Sequence, residues 1–408
     1  MVGVKTVAAL LLAALPFGTS SPVPVAAPGG SNKYIVKLKD GIRSRELATH
    51  LEWVNDVHAR SIGRRHLDLS GLDKKFEIGN FNAYSGAFDD ATIEEIRNKP
   101  EVSYVEPDQV WTLFETAMQN KKTQFNSTYG LATLSHRKPG SRNYVYDSSA
   151  GEGGYVYVID SGVNIDHVEF QGRATRGYNA AGGEFIDGIG HGTHVSGVVA
   201  GKRFGVAKKA NIIDVKVFMD HSSQTSTILD GFQWAVADIA AKGRRGRAVI
   251  NMSLGGIISE AFDEAVENAF QSGILSIVAA GNEYQDASNL SPARAPNALT
   301  VGAVDEDWLA WRGFGSQGSN YGPAVDIHAP GKDILSSWIG STTATRSDTG
   351  TSMAAPHVAG LAIYLAILEG ITDPAALTSR IKELGTRDST ENLPKNTVNL
   401  LANNGSED

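Results

Sequence analysis

The chain has 408 residues, with 37 lysines and arginines against 45 aspartates and glutamates and a net charge of −8. That balance speaks against a nucleic-acid partner, which needs a basic face, and the densest basic run, Lys242, Arg244, Arg245 and Arg247, reads as a solvated loop after a helix. The absence of cysteine excludes a disulfide, a thiolate nucleophile and a cysteine-ligated metal.

Lys5 precedes an apolar run over 7–15, and Pro16, Gly18 and Ser20 follow. This charged, apolar, small-residue order is that of a secretory signal peptide. The run is too short to span a bilayer. A signal peptide is expected over 1–20, with export from the cell, and a Pro/Ala/Gly/Ser linker over 21–33. No later segment is expected to cross a membrane.

A small α+β domain is expected from residue 34. Its elements are a strand over 34–39 (YIVKLK), a helix around 46–58, a strand over 83–88 (AYSGAF), a helix over 91–98 stopped by Pro100, and a strand over 102–108 (VSYVEPD). Residues 112–128 lose this pattern and read as an exposed tether open to proteolysis. The expected domain spans are 34–118 and 119–408.

Beyond about residue 130, short apolar strands alternate with amphipathic stretches. Strands are expected over 155–159, 212–217, 248–252, 274–280 and 298–304. Between them, Ile228, Phe232, Ala235 and Ile239 share one helix face, and Phe262, Val266, Ala269 and Phe270 share another. Near-continuous apolar strands suit a parallel sheet covered on both faces. The fold class is therefore α/β, a doubly wound parallel sheet preceded by the small α+β domain.

Glycine-framed motifs carry the chemistry. VIDSG places Asp160 at the end of a strand, GHGTHVSG places His191 at the opening of a helix, and GTSMAAPHVAG places Ser352 at the opening of another. A carboxylate, an imidazole and a hydroxyl are the parts of a nucleophilic triad. A serine hydroxyl is a poor nucleophile at neutral pH and needs a base beside it. His191 can take the Ser352 proton and return it to the leaving amine, and Asp160 can fix the imidazole tautomer. Ser352 at a helix start brings free backbone N–H groups and the positive dipole end to an oxyanion. In AAGNE, Asn282 can donate its side-chain amide to that oxyanion. His191 with His194 could instead form a metal pair, but no HExxH pattern accompanies them. An esterase of the GxSxG type is disfavoured, because Ser352 lacks that elbow and the chain order is Asp, His, Ser.

These residues closely resemble the subtilisin-like serine proteases, in particular the proteinase K-like secreted fungal branch. The similarity runs over about 129–403 and includes VKV (215–217), MSLGG (252–256), SPA (291–293) and NYGPAVDIHAPG (320–331). Residues 34–108 resemble the family's inhibitor prodomain, with a ferredoxin-like fold. The resemblance implies a self-processing zymogen, cut within about 116–126, that hydrolyses proteins and peptides and is held latent by its own prodomain. It implies a monomer without nucleic-acid or membrane partners and without a catalytic cofactor. Ser253, Leu254, Gly255 and Gly256 should form one edge of the substrate cleft, and Ala279, Ala280 and Gly281 should wall a roomy apolar pocket. Broad specificity with an aromatic and aliphatic bias follows. A structural calcium is implied at Asp326 and the carbonyls of Pro296 and Ala298. Two stretches depart from the family. The second substrate edge, 221–227, lacks glycine, and the loop over 305–319 is long and carries Trp308 and Trp311, which leaves open a shift of the nearby calcium ligands or an added surface contact. Glycosylation sequons stand at Asn126, Asn289 and Asn404, and at Asn251, where an expected buried strand argues against use.

Overall fold

The computed structural model describes residues 32–65, 69–78, 81–108 and 120–406. The expected signal peptide, the linker up to residue 31 and the tether over 109–119 lie outside the described residues. The chain divides into two compact units, Met1–Phe114 and Glu115–Asp408.

The small unit contains β1 (Lys33–Leu38), α1 (Ser44–Arg65), β2 (Gly71–Ile78), β3 (Phe81–Ala87), α2 (Asp90–Arg97) and β4 (Val102–Pro107). The strands form an antiparallel sheet in the order β2-β3-β1-β4. Its core joins Val36, Leu38, Leu51, Val54, Tyr84, Phe88, Ile93 and Ile96. Asp89 caps α2 by accepting the Thr92 N–H, which satisfies one of the helix's orphan donors. Strand β2 went unread in the sequence because GLDKKFEI is mostly polar and exposed.

The large unit contains β5 (Lys121–Gln124), α3 (Tyr129–Thr133), β6 (Tyr144–Asp147), β7 (Tyr155–Asp160), β8 (Ala174–Asn179), α4 (His191–Ala200), β9 (Asn211–Lys216), α5 (Thr225–Ala241), β10 (Ala248–Met252), β11 (Gly256–Ile257), α6 (Glu260–Gln271), β12 (Leu275–Ala279), β13 (Leu290–Ser291), β14 (Leu299–Val304), β15 (Ile327–Pro330), β16 (Ile334–Ser337), β17 (Thr345–Asp348), α7 (Thr351–Glu369), α8 (Pro374–Leu384), β18 (Thr386–Arg387) and β19 (Leu400–Leu401). Among the described residues, nine strands form one sheet in the order β18-β19-β15-β14-β12-β10-β7-β9-β8. Its pairings are parallel from β8 to β19, and β18 closes it antiparallel. Lys121–Gln124 is not tether: it pairs antiparallel with Tyr144–Asp147, so its backbone donors and acceptors are spent in a ladder.

One core packs β7, β10, β12 and β14 against α4 and α7, and a second packs the other face against α5 and α6. Thr351–Glu369 is long and apolar enough to cross a membrane, contrary to the expectation for later segments, but it is 83% buried in the protein. A helix that is apolar all round belongs inside a core. Gly360 lets α7 approach α4, since a Cβ there would meet Val206 and the Val199 carbonyl at 2.8 and 3.0 Å. That packing joins the two helices whose first turns carry His191 and Ser352.

Chain order turns around at β7. Strands β9 and β8 lie to one side of it and β10, β12, β14 and β15 to the other. In an open parallel sheet, the crevice at the carboxyl end of such a switch point is where ligands bind. Asp160 is the last residue of β7.

Candidate active site

Asp160 is buried, and its carboxylate meets His191 Nδ1 at 2.8 Å through Oδ1 and at 3.0 Å through Oδ2. The Ser161 N–H also donates to Oδ1, at 2.7 Å. Gly192 is required here, because a Cβ would strike the Gly162 carbonyl and crowd Asp160. Burial pulls the His191 imidazole toward its neutral form. The Asp160 carboxylate, aided by Asp348 and Asp187, outweighs that pull and raises its pKa above the ordinary value. His194 takes no part: its Nε2 lies 2.8 Å from the Ile334 carbonyl and 3.1 Å from that of Arg346. Among the described residues, no group of three or more His, Cys, Asp or Glu side chains could hold a metal.

Asp187, which the sequence reading passed over, fastens the segment before His191. Its Oδ1 accepts from Ser161 Oγ, Ile189 N and Gly190 N at 2.8–3.0 Å, and its Oδ2 accepts from Thr193 N and Oγ1 at 3.0 and 2.6 Å. The only signal in the sequence was an acid placed just before a glycine-opened helix.

Ser352 begins α7 after Gly350 and Thr351. Its Oγ–H donates to the Ser253 carbonyl at 3.2 Å, and Ser253 Oγ–H returns a bond to the Ser352 carbonyl at 2.8 Å. The second bond has a sequence cause. Pro356 lies one helical turn on and has no N–H, so the Ser352 carbonyl lacks its helix partner, and Ser253 supplies the replacement. The first turn of α7 is thereby tied to the segment expected to line the cleft.

Asn282 Oδ1 accepts the Thr351 N–H at 2.8 Å and the Thr351 Oγ1–H at 2.9 Å. With the oxygen so engaged, the amide nitrogen faces the other way and is the group offered to a ligand. Thr351 Oγ1 in turn accepts the Gly281 N–H at 3.0 Å. Gly281 needs glycine, at φ +101°. Buried Asn320 holds the same loop, donating to the Ala280 carbonyl at 3.0 Å and accepting from the Glu283 and Gln285 N–H groups at 3.1 and 2.9 Å.

Of the expected cleft residues, Ser253, Ala279 and Ala280 are buried, Leu254 and Gly281 are half-buried, and Gly255 and Gly256 are exposed. Beyond them β11 pairs with β13 and presents Ile257 at 88% exposure. Residues 221–224 form no strand, and Ser223 Oγ bonds the Val217 carbonyl before α5 begins. The tryptophans of the long loop make no surface contact. Trp308 and Trp311 are buried, and Trp308 Nε1 donates to Thr133 Oγ1 at 3.1 Å. Phe314 is the exposed large apolar residue there.

The profile described as "Subtilase family" matches residues 151–393, and that described as "Peptidase inhibitor I9" matches residues 33–114. "Alkaline protease 1" of Aspergillus clavatus is 51% identical over 99% of this chain and 100% of its own length. The chain belongs to the subtilase family. This subtilase is also 51% identical to "Subtilisin-like proteinase Mp1" of Magnaporthiopsis poae, over 99% of both chains. Its fold is similar to that of a cold-adapted subtilisin-like serine proteinase, with a TM-score of 0.62 and 38% identity over 68% of this chain and 97% of that one. The subtilase is thus a serine endopeptidase, and its I9 unit makes it a zymogen.

The residues implied for calcium do not suit that ion. Asp326 Oδ1 is taken by Lys382 Nζ at 2.7 Å, and Oδ2 accepts the Thr300 N–H at 2.9 Å. Calcium takes six to eight oxygens, waters among them, so the carbonyls of Pro296 and Ala298 and a carboxylate could begin such a set, but here the carboxylate oxygen that would face the ion is already held by the Lys382 ammonium.

Two sequons are incompatible with a glycan in this fold. Asn404 is buried, donating to the Val145 carbonyl at 2.8 Å and accepting the Ser406 N–H at 3.0 Å. Asn251 is buried in β10. Asn126 and Asn289 are exposed.

Proposed function

We propose that Ser352 is the nucleophile, His191 the general base and acid, Asp160 its orienting carboxylate and Asn282 an oxyanion donor. The observation that carries this reading is the Asp160–His191 bond of 2.8 Å at the start of α4, a helix packed against α7, whose first turn holds Ser352. As Ser352 Oγ attacks the scissile carbonyl carbon, its proton passes to His191 Nε2. Bonds of this kind often tighten only when substrate is present, so Oγ turns from the Ser253 carbonyl to the imidazole on binding. The tetrahedral oxygen is held by Asn282 Nδ2–H and the N–H groups of the α7 start. His191 then protonates the departing amine, the C–N bond breaks, and an acyl-serine remains. Water then attacks the acyl carbon while giving a proton to the same imidazole, the C–Oγ bond breaks, and the imidazole returns that proton to Ser352 Oγ as the acid leaves.

An extended substrate would lie along Ser253, Leu254, Gly255 and Gly256, pairing as an added strand. The small residues Ala279, Ala280 and Gly281 leave a pocket suited to aromatic and aliphatic side chains, which supports broad specificity. Export follows from the N-terminal signal pattern, and Asn126 and Asn289 are the sequons available to a glycan. The enzyme works as a monomer on proteins and peptides, with no catalytic cofactor and no nucleic-acid or membrane partner. Self-cleavage would fall before Lys121, because a later cut would remove strand β5.

Ser352→Ala is expected to accumulate full-length precursor and to cleave no casein. N-terminal sequencing of the parent product would place the cut. Normal maturation of Ser352→Ala without added protease would refute self-processing.

A further inference from the structure

We infer that the Lys382 ammonium is the resident cation of the site where the family places calcium, and that the large unit does not depend on calcium for stability. Asp326 stands just ahead of β15 and ties three elements together. Its N–H donates to the Thr300 carbonyl at 2.9 Å, and its Oδ2 accepts the Thr300 N–H at 2.9 Å, so it is clamped to β14. Its Oδ1 receives Lys382 Nζ at 2.7 Å from the last turn of α8. A calcium bound to that oxygen would sit about 2.4 Å away, in nearly the same place as the ammonium. The two cations cannot share one carboxylate oxygen, because they would repel each other at contact distance in a part-buried setting.

Among the described residues, the neighbouring side chains are engaged elsewhere and offer no second carboxylate to a divalent ion. Asn297, between the two implied carbonyl residues, donates its amide to Glu267 Oε2 at 2.7 Å, which ties it to α6. Arg380 on α8 is engaged with Glu369 and Glu383 at 2.8–3.1 Å. Among the described residues, the only side chain bonded to Asp326 is therefore a monovalent cation carried by the chain itself. Lys382 also lies in the final turn of α8, where a positive charge complements the helix dipole. An ammonium in this position joins α8 to the sheet without any metal.

The test compares the parent and Lys382→Met, each in a Ser352→Ala background so that self-digestion does not intervene. Thermal midpoints are read with excess chelator and with millimolar calcium. The parent midpoint is expected to agree within about 1 °C in the two conditions, while Lys382→Met, with its carboxylate freed, gains about 5 °C or more with calcium. A parent midpoint that falls by several degrees on chelation and returns with calcium would overturn the inference. So would a Lys382→Met protein whose midpoint ignores calcium, because the lysine would then not be standing in a cation site. Calorimetric titration with calcium chloride alone gives a second readout: heat is expected from the variant and none from the parent, and heat from the parent overturns the proposal.

Discussion

Asp160→Asn is expected to lower kcat/KM by about 10⁴-fold with the fold intact, a magnitude taken from the same change in a trypsin-type triad. The direction follows from the bonds around Asp160. The Ser161 N–H donates to Oδ1 at 2.7 Å, so an asparagine keeps its oxygen on that donor and puts an NH₂ in the Oδ2 position, 3.0 Å from His191 Nδ1, which favours the wrong tautomer. Nδ1 then has to accept, the ring proton moves to Nε2, and the imidazole can no longer take a proton from Ser352. The change also removes the charge that holds the imidazole pKa up. In the parent, burial lowers that pKa and the Asp160 carboxylate more than offsets it, with smaller help from Asp348 and Asp187. Activity needs the neutral ring, so the acid limb of the parent profile lies above the ordinary histidine value of about 6.5. In the variant the burial effect stands with its main opponent gone, and the limb moves to lower pH. Rates on a chromogenic peptide from pH 4 to 10 check both points. A variant whose acid limb coincides with the parent's would show that Asp160 does not tune His191.

The parts of the site that were legible in the sequence are those framed by glycine. Asp160, His191, Ser352 and Asn282 each stand where a strand ends or a helix begins, and the close packing around Gly192 and Gly281 explains the glycines beside them. The residues that hold these groups were not legible. Asp187, Thr351 and Asn320 act through bonds to backbone N–H groups, and nothing in a polar side chain's identity says which backbone it will meet. The exchange between Ser253 and Ser352 joins residues 99 positions apart and becomes apparent only once Pro356 is seen one turn beyond the nucleophile. The fold divides in the same way. The apolar strands β7, β9, β10, β12 and β14 announce themselves because both faces are buried. The polar strands β2, β5 and β8 carry no such pattern and are strands because a neighbour offers a ladder. Trp308 and Trp311 looked like surface material because their loop is long, yet they close the core beneath it.

Asp214 should make this enzyme less stable as the pH rises from about 4 to about 8, and Asp214→Asn should remove that dependence. The residue lies in the middle of β9, fully buried. Its Oδ2 accepts the Val163 N–H at 3.1 Å, and its Oδ1 has no protein partner. Burial pushes its pKa up to about 8, and the Val163 bond, Lys216 and Arg176 offset this only in part, against the like charge of Asp187. Lys216 does not pair with it: its Nζ donates to the carbonyls of Ser161 and Phe218 at 2.6 Å each. A carboxyl with a raised folded-state pKa binds its proton more tightly when folded. Stability is therefore whole below the unfolded pKa of about 3.9, falls as the pH climbs through the interval up to the folded value, and is level above it. A rise of about 4 units corresponds to a ceiling of roughly 5 kcal/mol, which local relaxation reduces. Asparagine stays neutral at every pH and can still accept the Val163 N–H. In a Ser352→Ala background, parent and variant midpoints are expected to agree near pH 4 and to diverge with rising pH. By pH 9 the variant should stand about 5 °C or more higher. Parallel curves from pH 4 to 9 would mean that Asp214 titrates as an ordinary carboxylate. Val163 lies three residues after Asp160, so the same ionisation acts close along the chain to the carboxylate proposed to orient His191, and alkaline conditions that keep His191 neutral are the ones that charge this strand.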